Sequence, residues 1–346
     1  MRAVVLAGPG RVEVADVPEP VVREPTDAIV RVTRSAICGS DLHFVHGKTP
    51  TAPGAVLGHE AVGVVEEAGG AVGSFSVGDR VVLSFAVACG SCWFCARGQT
   101  SLCDRAAVFG AGPFGGDLPG AQAELVRVPW ADVNMLAVPA GLDDDRAVFV
   151  GDVLTTGYHA ASLTGFGDDD AVAVLGAGPL GWCVAASLRS MGAGRVFLLD
   201  REASRLELAA AAGATPLDVA HRSAESALAE VTEDRGPDVT IDAVGAADAY
   251  RDAVAAVRRG GRVVVAGVYA GESVELQLGV AWARALDVRF TGVCPVHRDW
   301  REVMRRVDTG EVDPSPLVSE RVALEDAPGG YERFERRVAT KVLIEP

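Results

Sequence analysis

The densest set of reactive side chains in this sequence is the stretch CGSCWFCARGQTSLC, residues 89–103, which holds four of the seven cysteines in the pattern CxxCxxCx7C. Four thiolates at Cys89, Cys92, Cys95 and Cys103 suit tetrahedral zinc or an iron–sulfur cluster. A bacterial ferredoxin run closes with a three-residue gap and a proline. Here the last gap is seven residues and Asp104 follows, so zinc is expected. A four-thiolate zinc has no open position, so it can brace a lobe but cannot bind substrate. The chemistry must lie elsewhere, and Cys38 in ICGSDLHFVHG with His59 in LGHEAVGVV offers a thiolate and an imidazole for a second zinc. Glu60 adjoins the histidine, and Asp152 stands in GDVLTTGYHA at an expected domain junction. Zinc on three protein ligands keeps a fourth position for water or an alcohol oxygen, whose pKa falls toward about 7. Taken singly, Cys38 reads as a buried apolar residue and His59 as a core histidine.

A second kind of chemistry is written around residue 176. The run AVAVL leads into Gly176-Ala177-Gly178-Pro179-Leu180-Gly181 and then a helix, and the following strand ends at Asp200. Gly176 makes the tight turn, Gly178 admits a pyrophosphate, and Gly181 lets helix and strand pack closely. Asp200 can accept hydrogen bonds from both ribose hydroxyls and would repel a 2′-phosphate, which favours NAD over NADP, although adjacent Arg201 keeps NADP open.

These sites need scaffolds, and the chain has two textures. Residues 1 to about 150 carry short Val-rich runs (AVVL, VEV, AIVRV, VGVVEE, RVVLS) split by Gly and Pro turns, which predicts a β-rich, barrel-like domain. From residue 155, strand-like runs (AVAVL, RVFLLD, DVTIDAV, RVVVAG) alternate with apolar helical stretches, including one over 204–212, which predicts an α/β domain with a doubly wound parallel sheet. The expected division is 1–153 with 295–346 for the β-rich catalytic domain, and 154–294 for the nucleotide domain. The triplets Asp143-Asp144-Asp145 and Asp168-Asp169-Asp170 read as solvated turns.

Composition limits the partners. The 346 residues carry 32 basic and 47 acidic side chains, a net charge of −15, which disfavours nucleic acid and anionic membranes. No run approaches the roughly eighteen apolar residues of a membrane span, and the N-terminal stretch breaks at Gly8-Pro9-Gly10 before a signal-length apolar run develops. An odd number of cysteines fits a reduced compartment, so the expected setting is cytoplasmic.

Together these motifs resemble the zinc-dependent medium-chain alcohol dehydrogenases over essentially the whole chain: CGSD-L-H at 38–43, GHE at 58–60, the cysteine lobe, D-x3-TG at 152–157, GAGPLG at 176–181 with Asp200, and a KVLIEP ending. The resemblance implies a GroES-like catalytic domain joined to a Rossmann domain, with structural zinc in the lobe and a catalytic zinc held by Cys38, His59 and Asp152. It makes Glu60 a neighbouring acid that ligates transiently and Asp41 the carboxylate that fixes the zinc-bound imidazole. Ser40 takes the alcohol proton and His43 ends the relay. For the cofactor it implies Thr156 near the nicotinamide, with Arg205, Val244, Val268 and Val293 beside Pro179, Leu180 and Arg201. Phe85 would line the substrate pocket; Phe109, Tyr269 and Trp130 are further candidate wall residues. Gly39 stands where some relatives carry a phosphate-binding arginine. Asp152 replaces a cysteine of the animal enzymes, as in the bacterial polyol and threonine dehydrogenase branch, which implies a homo-oligomer, a tetramer in preference to a dimer. Two rivals are a zinc-free, NADPH-dependent quinone or enoyl reductase on the same fold, and a non-catalytic zinc-binding interaction module. The first would leave CGSD and GHE idle, and the open set of Cys38, His59 and Asp152 beside Ser40 and His43 argues against the second. The expected reaction is reversible oxidation of a small alcohol, secondary or polyol, with NAD and two zinc ions per chain.

Overall fold

The computed structural model describes residues 1–271 and 273–346, the side chain of residue 114 aside. The chain divides into two units, Met1–Thr155 with Val293–Pro346, and Thr156–Gly292.

In the first unit the valine runs become a seven-stranded sheet. Its path is Val318–Ala323, Lys341–Glu345, Ala28–Ala36, Glu60–Ala68, Arg80–Leu83 and Met135–Ala137, with Leu125–Val128 also pairing on Ala28–Ala36. The C-terminal strand thus rejoins the first, Leu343 opposite Ala36. Alternate residues of these strands, among them Val30, Val32, Val65, Val81, Leu83 and Val126, meet in one core, the burial that the period of two encodes. Helix Val296–Asp308 buries Val296, Trp300, Val303, Met304 and Val307, an apolar stripe at helical spacing.

The aspartates at 143–145 are not merely solvated. Asp143 caps a helical turn by accepting from the Arg146 N–H at 2.9 Å. Asp144 pairs with Arg80, and Asp145 lies between Arg34 and Arg321, each pair at 2.6 Å. These strand-borne arginines draw the acids in.

The second unit is a six-stranded parallel sheet in the order Thr215–Asp218, Arg195–Asp200, Ala171–Leu175, Val239–Asp242, Arg262–Val265, Asp287–Phe290. Ala171–Leu175 is buried throughout, which explains its apolar run without alternation. The winding reverses between this strand and Val239–Asp242, opening a crevice at their carboxyl ends. The helix expected over 204–212 is two short pieces, Ala203–Leu206 and Ala210–Ala212. Between them the bonds tighten to i→i+3, with Leu208 N–H on Arg205 O and Ala209 N–H on Leu206 O. Among the described residues no helix is long and apolar enough to cross a membrane.

Candidate active site

Three separate segments of the first unit bring the ligand candidates together. Cys38 and Ser40 occupy the turn between strand Ala28–Ala36 and the short helix Asp41–Val45. Asp41 folds back so that its Oδ2 accepts the Cys38 N–H at 2.9 Å. His59 enters through Gly58, whose φ of +91° and lack of room for a Cβ, which would lie 2.3 Å from the Gln122 side chain, both demand glycine. Asp152 follows a tight turn at Val148–Gly151, where a Cβ on Gly151 would come within 2.1 Å of the Leu83 carbonyl oxygen.

The result is a compact donor set. Ligand atoms of Cys38, His59 and Asp152 lie within 4.8 Å of one another. His59 Nε2 is 3.2 Å from Asp152 Oδ2. The Ser40 hydroxyl donates to Cys38 Sγ at 3.2 Å and lies 3.1 Å from His59 Nε2. On the other side of the ring, Nδ1 is 3.1 Å from Asp41 Oδ1, off hydrogen-bond alignment, and among the described residues neither atom has a hydrogen-bond partner. Burial works against protonation of His59, yet Asp41, Cys38 and Asp152 hold its proton well above the usual range. Two carboxylates and a thiol crowd one buried imidazole, and a thiolate, an imidazole and a carboxylate so gathered fit a divalent cation.

Glu60 is drawn elsewhere. It begins strand Glu60–Ala68, and its Oε2 accepts a close ion-paired hydrogen bond from Lys341 Nζ, both side chains 1% exposed. Adjacent residues of an extended chain face opposite ways, so Glu60 meets the C-terminal strand while His59 meets Cys38. Burial opposes charge on both partners and raises the Glu60 pKa, while on Lys341 the Glu60 carboxylate outweighs burial and, with Cys38 and Asp152 nearby, raises the pKa. The carboxylate that gathers with Cys38 and His59 is thus that of Asp152, while Glu60 is engaged by Lys341.

Among the other expected residues, Phe85 presents its ring edge-on to His59 at 6.1 Å. His43 lies one turn beyond Ser40, its backbone N–H on the Ser40 carbonyl oxygen at 3.0 Å. Phe109 is corrected: it is wholly buried in the barrel core, a packing ring rather than an open wall. Trp130 packs against the cysteine lobe beneath the Arg105 guanidinium. Tyr269 belongs to the second unit, where its hydroxyl donates to the Asp242 carboxylate and its ring packs on the sheet core. This accounts for its side chain without a substrate.

In the lobe the four sulfurs of Cys89, Cys92, Cys95 and Cys103 also lie within 4.8 Å of one another. Backbone N–H groups of Cys89 and Arg105 both reach Cys103 Sγ at 3.3 Å, and that of Cys95 reaches Cys92 Sγ at 3.5 Å. Burial resists ionisation of Cys89, but the N–H groups of Ser91 and Cys92 prevail and bring it down to about 5. Burial and its neighbouring thiols push Cys95 up to about 12. Four sulfurs this close cannot all ionise on their own; a shared zinc removes that conflict.

In the second unit, Gly176 turns at φ +98° beneath Val244, and a Cβ on Gly181 would meet the Gly176 carbonyl oxygen at 1.7 Å. Helix Pro179–Ser190 starts there, with Gly178 as its N-cap. Asp200 Oδ2 accepts the Ala177 N–H at 2.7 Å, its Oδ1 accepts from Arg201 and Glu202, and Arg205 Nη1 stands 3.7 Å away. Val244 and Val268 are more than half exposed at the carboxyl ends of their strands. Thr156 opens the second unit and Val293 the returning part of the first.

Sequence reasoning missed Lys341, Gln122 and Tyr331. Their one signal was polarity out of place: a lysine opening KVLIEP and a glutamine inside GAQAEL.

Comparison with known proteins accords with this geometry. Residues 24–140 match the family model "Alcohol dehydrogenase GroES-like domain" and residues 179–309 match "Zinc-binding dehydrogenase". A probable zinc-binding alcohol dehydrogenase of Mycobacterium tuberculosis is 40% identical over 97% of this chain and 86% of its own length. The chain belongs to the zinc-dependent medium-chain dehydrogenase family. It is an oxidoreductase of that family. Among solved structures, an alcohol dehydrogenase from Thermus sp. ATN1 is 42% identical and superposes with a TM-score of 0.95, covering 100% of this chain and 99% of that one. A zinc-binding dehydrogenase from Sinorhizobium meliloti, bound to NADP, is 31% identical with a TM-score of 0.88 over 100% and 99% of the two chains.

Proposed function

We propose that this member oxidises a small alcohol, a secondary alcohol or polyol, reversibly to the carbonyl with NAD, and binds two zinc ions per chain. The observation that carries the reading is the three-residue donor set of Cys38, His59 and Asp152 with the Ser40 hydroxyl against two of its ligand atoms. Zinc there would supply Lewis acidity at a fourth, open position, while the closed lobe set would serve stability. In this reading Ser40 would take the hydroxyl proton and His43 would pass it on, and bound nicotinamide would supply the hydride acceptor. Phe85 keeps an apolar surface beside His59. The products are carbonyl, NADH and one proton. A zinc-free NADPH-dependent reductase would have no use for either donor set.

Asp200 and the glycine turn support NAD. Asp200→Gly should shift the ratio of catalytic efficiencies toward NADP by about 10-fold or more, since a ribose partner and a repelling charge both go. Equal efficiency of the native protein with NADP would defeat this reading. For quaternary structure the proposal is a homo-oligomer, a tetramer. The edge strand Asp287–Phe290 and helix Leu278–Ala283 expose Phe290, Leu278, Val280 and Trp282, an apolar face suited to a second copy. Light scattering of the intact protein tests it. The central experiment pairs metal analysis of dialysed protein with NAD reduction over alcohols, diols, sugars and β-hydroxy amino acids. Two zinc equivalents and turnover of one class are expected; one or no zinc with no turnover would overturn the proposal.

A further inference from the structure

Behind the ligand set, and on the side away from Asp152, a buried polar chain runs through the first unit. The Tyr331 hydroxyl, in helix Ala327–Glu335, donates to Gln122 Oε1 at 2.8 Å. Gln122 Nε2 donates to the Ala36 carbonyl oxygen at 3.0 Å and approaches Asp41 Oδ2 at 3.4 Å. That same Oδ2 takes the Cys38 N–H, which leaves Oδ1 facing His59 Nδ1. Gln122 and Asp41 have no exposed surface, and Tyr331 is 4% exposed among Ile37, Leu57 and Val342.

Each link has a defined direction. Ala36 and Asp41 offer Gln122 only acceptors, so its amide must turn Nε2 toward them and Oε1 toward Tyr331. Tyr331 in turn must donate. The amide also lies against Gly58, the residue before His59, where a Cβ would strike it. A buried amide and phenol are costlier to accommodate than apolar groups of the same size unless fully bonded, and this pair spends its bonds on one carboxylate and the strand end before Cys38.

We infer that Gln122 and Tyr331 are positioning residues for the metal ligands: they fix the plane of the Asp41 carboxylate and, through it, both the His59 imidazole and the Cys38 backbone. The inference rests on the proposed zinc at Cys38, His59 and Asp152. Their hydrogen bonds run to Asp41 and to the strand end before Cys38. Their effect therefore reaches the metal through Asp41, and it should be seen in how tightly one of two zinc ions is held.

Tyr331→Phe removes a single oxygen, and Gln122→Met keeps volume while removing both bonds. In the zinc-loaded full chain, release of each equivalent to excess chelator is followed, with the Cys103→Ala protein identifying which phase belongs to the lobe. Tyr331→Phe should speed release of the non-lobe zinc by about 3-fold to 10-fold and Gln122→Met by about 10-fold to 100-fold, the range for partners that orient metal ligands. The lobe equivalent should leave at the parent rate. In cobalt-substituted protein the visible bands of the Cys38 site should shift in both variants. Unchanged release and spectra in both variants would overturn the inference, as would equal acceleration of both equivalents with a lowered Tm, the mark of general loosening. A parent chain that never binds the non-lobe equivalent would instead overturn the proposed function itself.

Discussion

The two candidate metal-binding regions of this chain are built on opposite plans. The lobe draws four candidate ligands of one type from fifteen consecutive residues, 89–103, and seats their sulfurs with nearby N–H groups. The Cys38 site draws three candidate ligands of different types from positions as much as 114 residues apart, and behind them stand buried carboxylates, an amide, a phenol and an ammonium. A local plan makes a closed set that needs little beyond its own loop. A dispersed plan leaves one position open, and its accuracy depends on the folded sheet. Damage to the first should show as lost stability, and damage to the second as lost chemistry.

The sharpest break of that contrast comes from one substitution in each region. Asp152→Asn removes the anionic ligand from the dispersed set and should lower activity by at least about 100-fold while one zinc is retained. Cys103→Ala opens the closed set and strands three thiols, so Tm should fall by about 5–10 °C with zinc lost from the lobe. Zinc analysis, steady-state rates and thermal melts separate the two. Full activity in Asp152→Asn, or an unchanged melt in Cys103→Ala, would erase the distinction.

A finer cut falls on the buried pair behind the dispersed site. Lys341→Met leaves the Glu60 carboxylate without its cation in a dry setting, next to Asp152. Breaking such a pair costs about 3–5 kcal/mol, read as a drop in the denaturant midpoint. Lys341→Met with Glu60→Gln should recover much of that stability, because the stranded charge goes too. If the double variant is no better than the single, the two side chains are not acting as an ion pair.

The contrast also explains what could be read from sequence. The lobe is local, so its spacing alone pointed to four sulfurs around one ion. The parallel sheet was equally legible, because AVAVL, RVFLLD and RVVVAG are buried on both faces and carry no alternation to misread. The types at the dispersed site were visible in CGSD and GHE, but the choice between Glu60 and Asp152 turned on which way adjacent residues of an extended chain face. Lys341 lies 281 positions from Glu60, and Tyr331 lies 209 from Gln122; no local pattern connects such pairs. Phe109 failed as a pocket residue for a related reason. An aromatic after a short strand has the same sequence texture whether it faces a core or a cleft.

The smallest expected effect concerns how the lobe is moored. His297, on the returning helix Val296–Asp308, meets Thr100 Oγ1 through Nδ1 at 3.0 Å and Asn134 Oδ1 through Nε2 at 2.9 Å. Asn134 also exchanges hydrogen bonds with the backbone of Ala88, the residue before Cys89. The Asn134 oxygen can only accept, so Nε2 carries the proton and Nδ1 accepts from Thr100. Burial brings His297 down to about 4, against about 6.5 in an unfolded chain. Between those values the unfolded chain binds a proton that the folded one does not. The histidine's contribution is thus intact above about pH 6.5 and is lost as pH falls toward 4, by about 1.4 kcal/mol per pH unit and about 3 kcal/mol in all. His297→Gln keeps a donor and an acceptor but cannot titrate. Its stability, measured by denaturant midpoint from pH 7 to pH 4.5, should fall less steeply than the parent's. Acid protonates metal ligands in both proteins alike, so the difference between the two curves isolates the histidine. Parallel curves would show that the lobe's mooring does not sense pH through this residue.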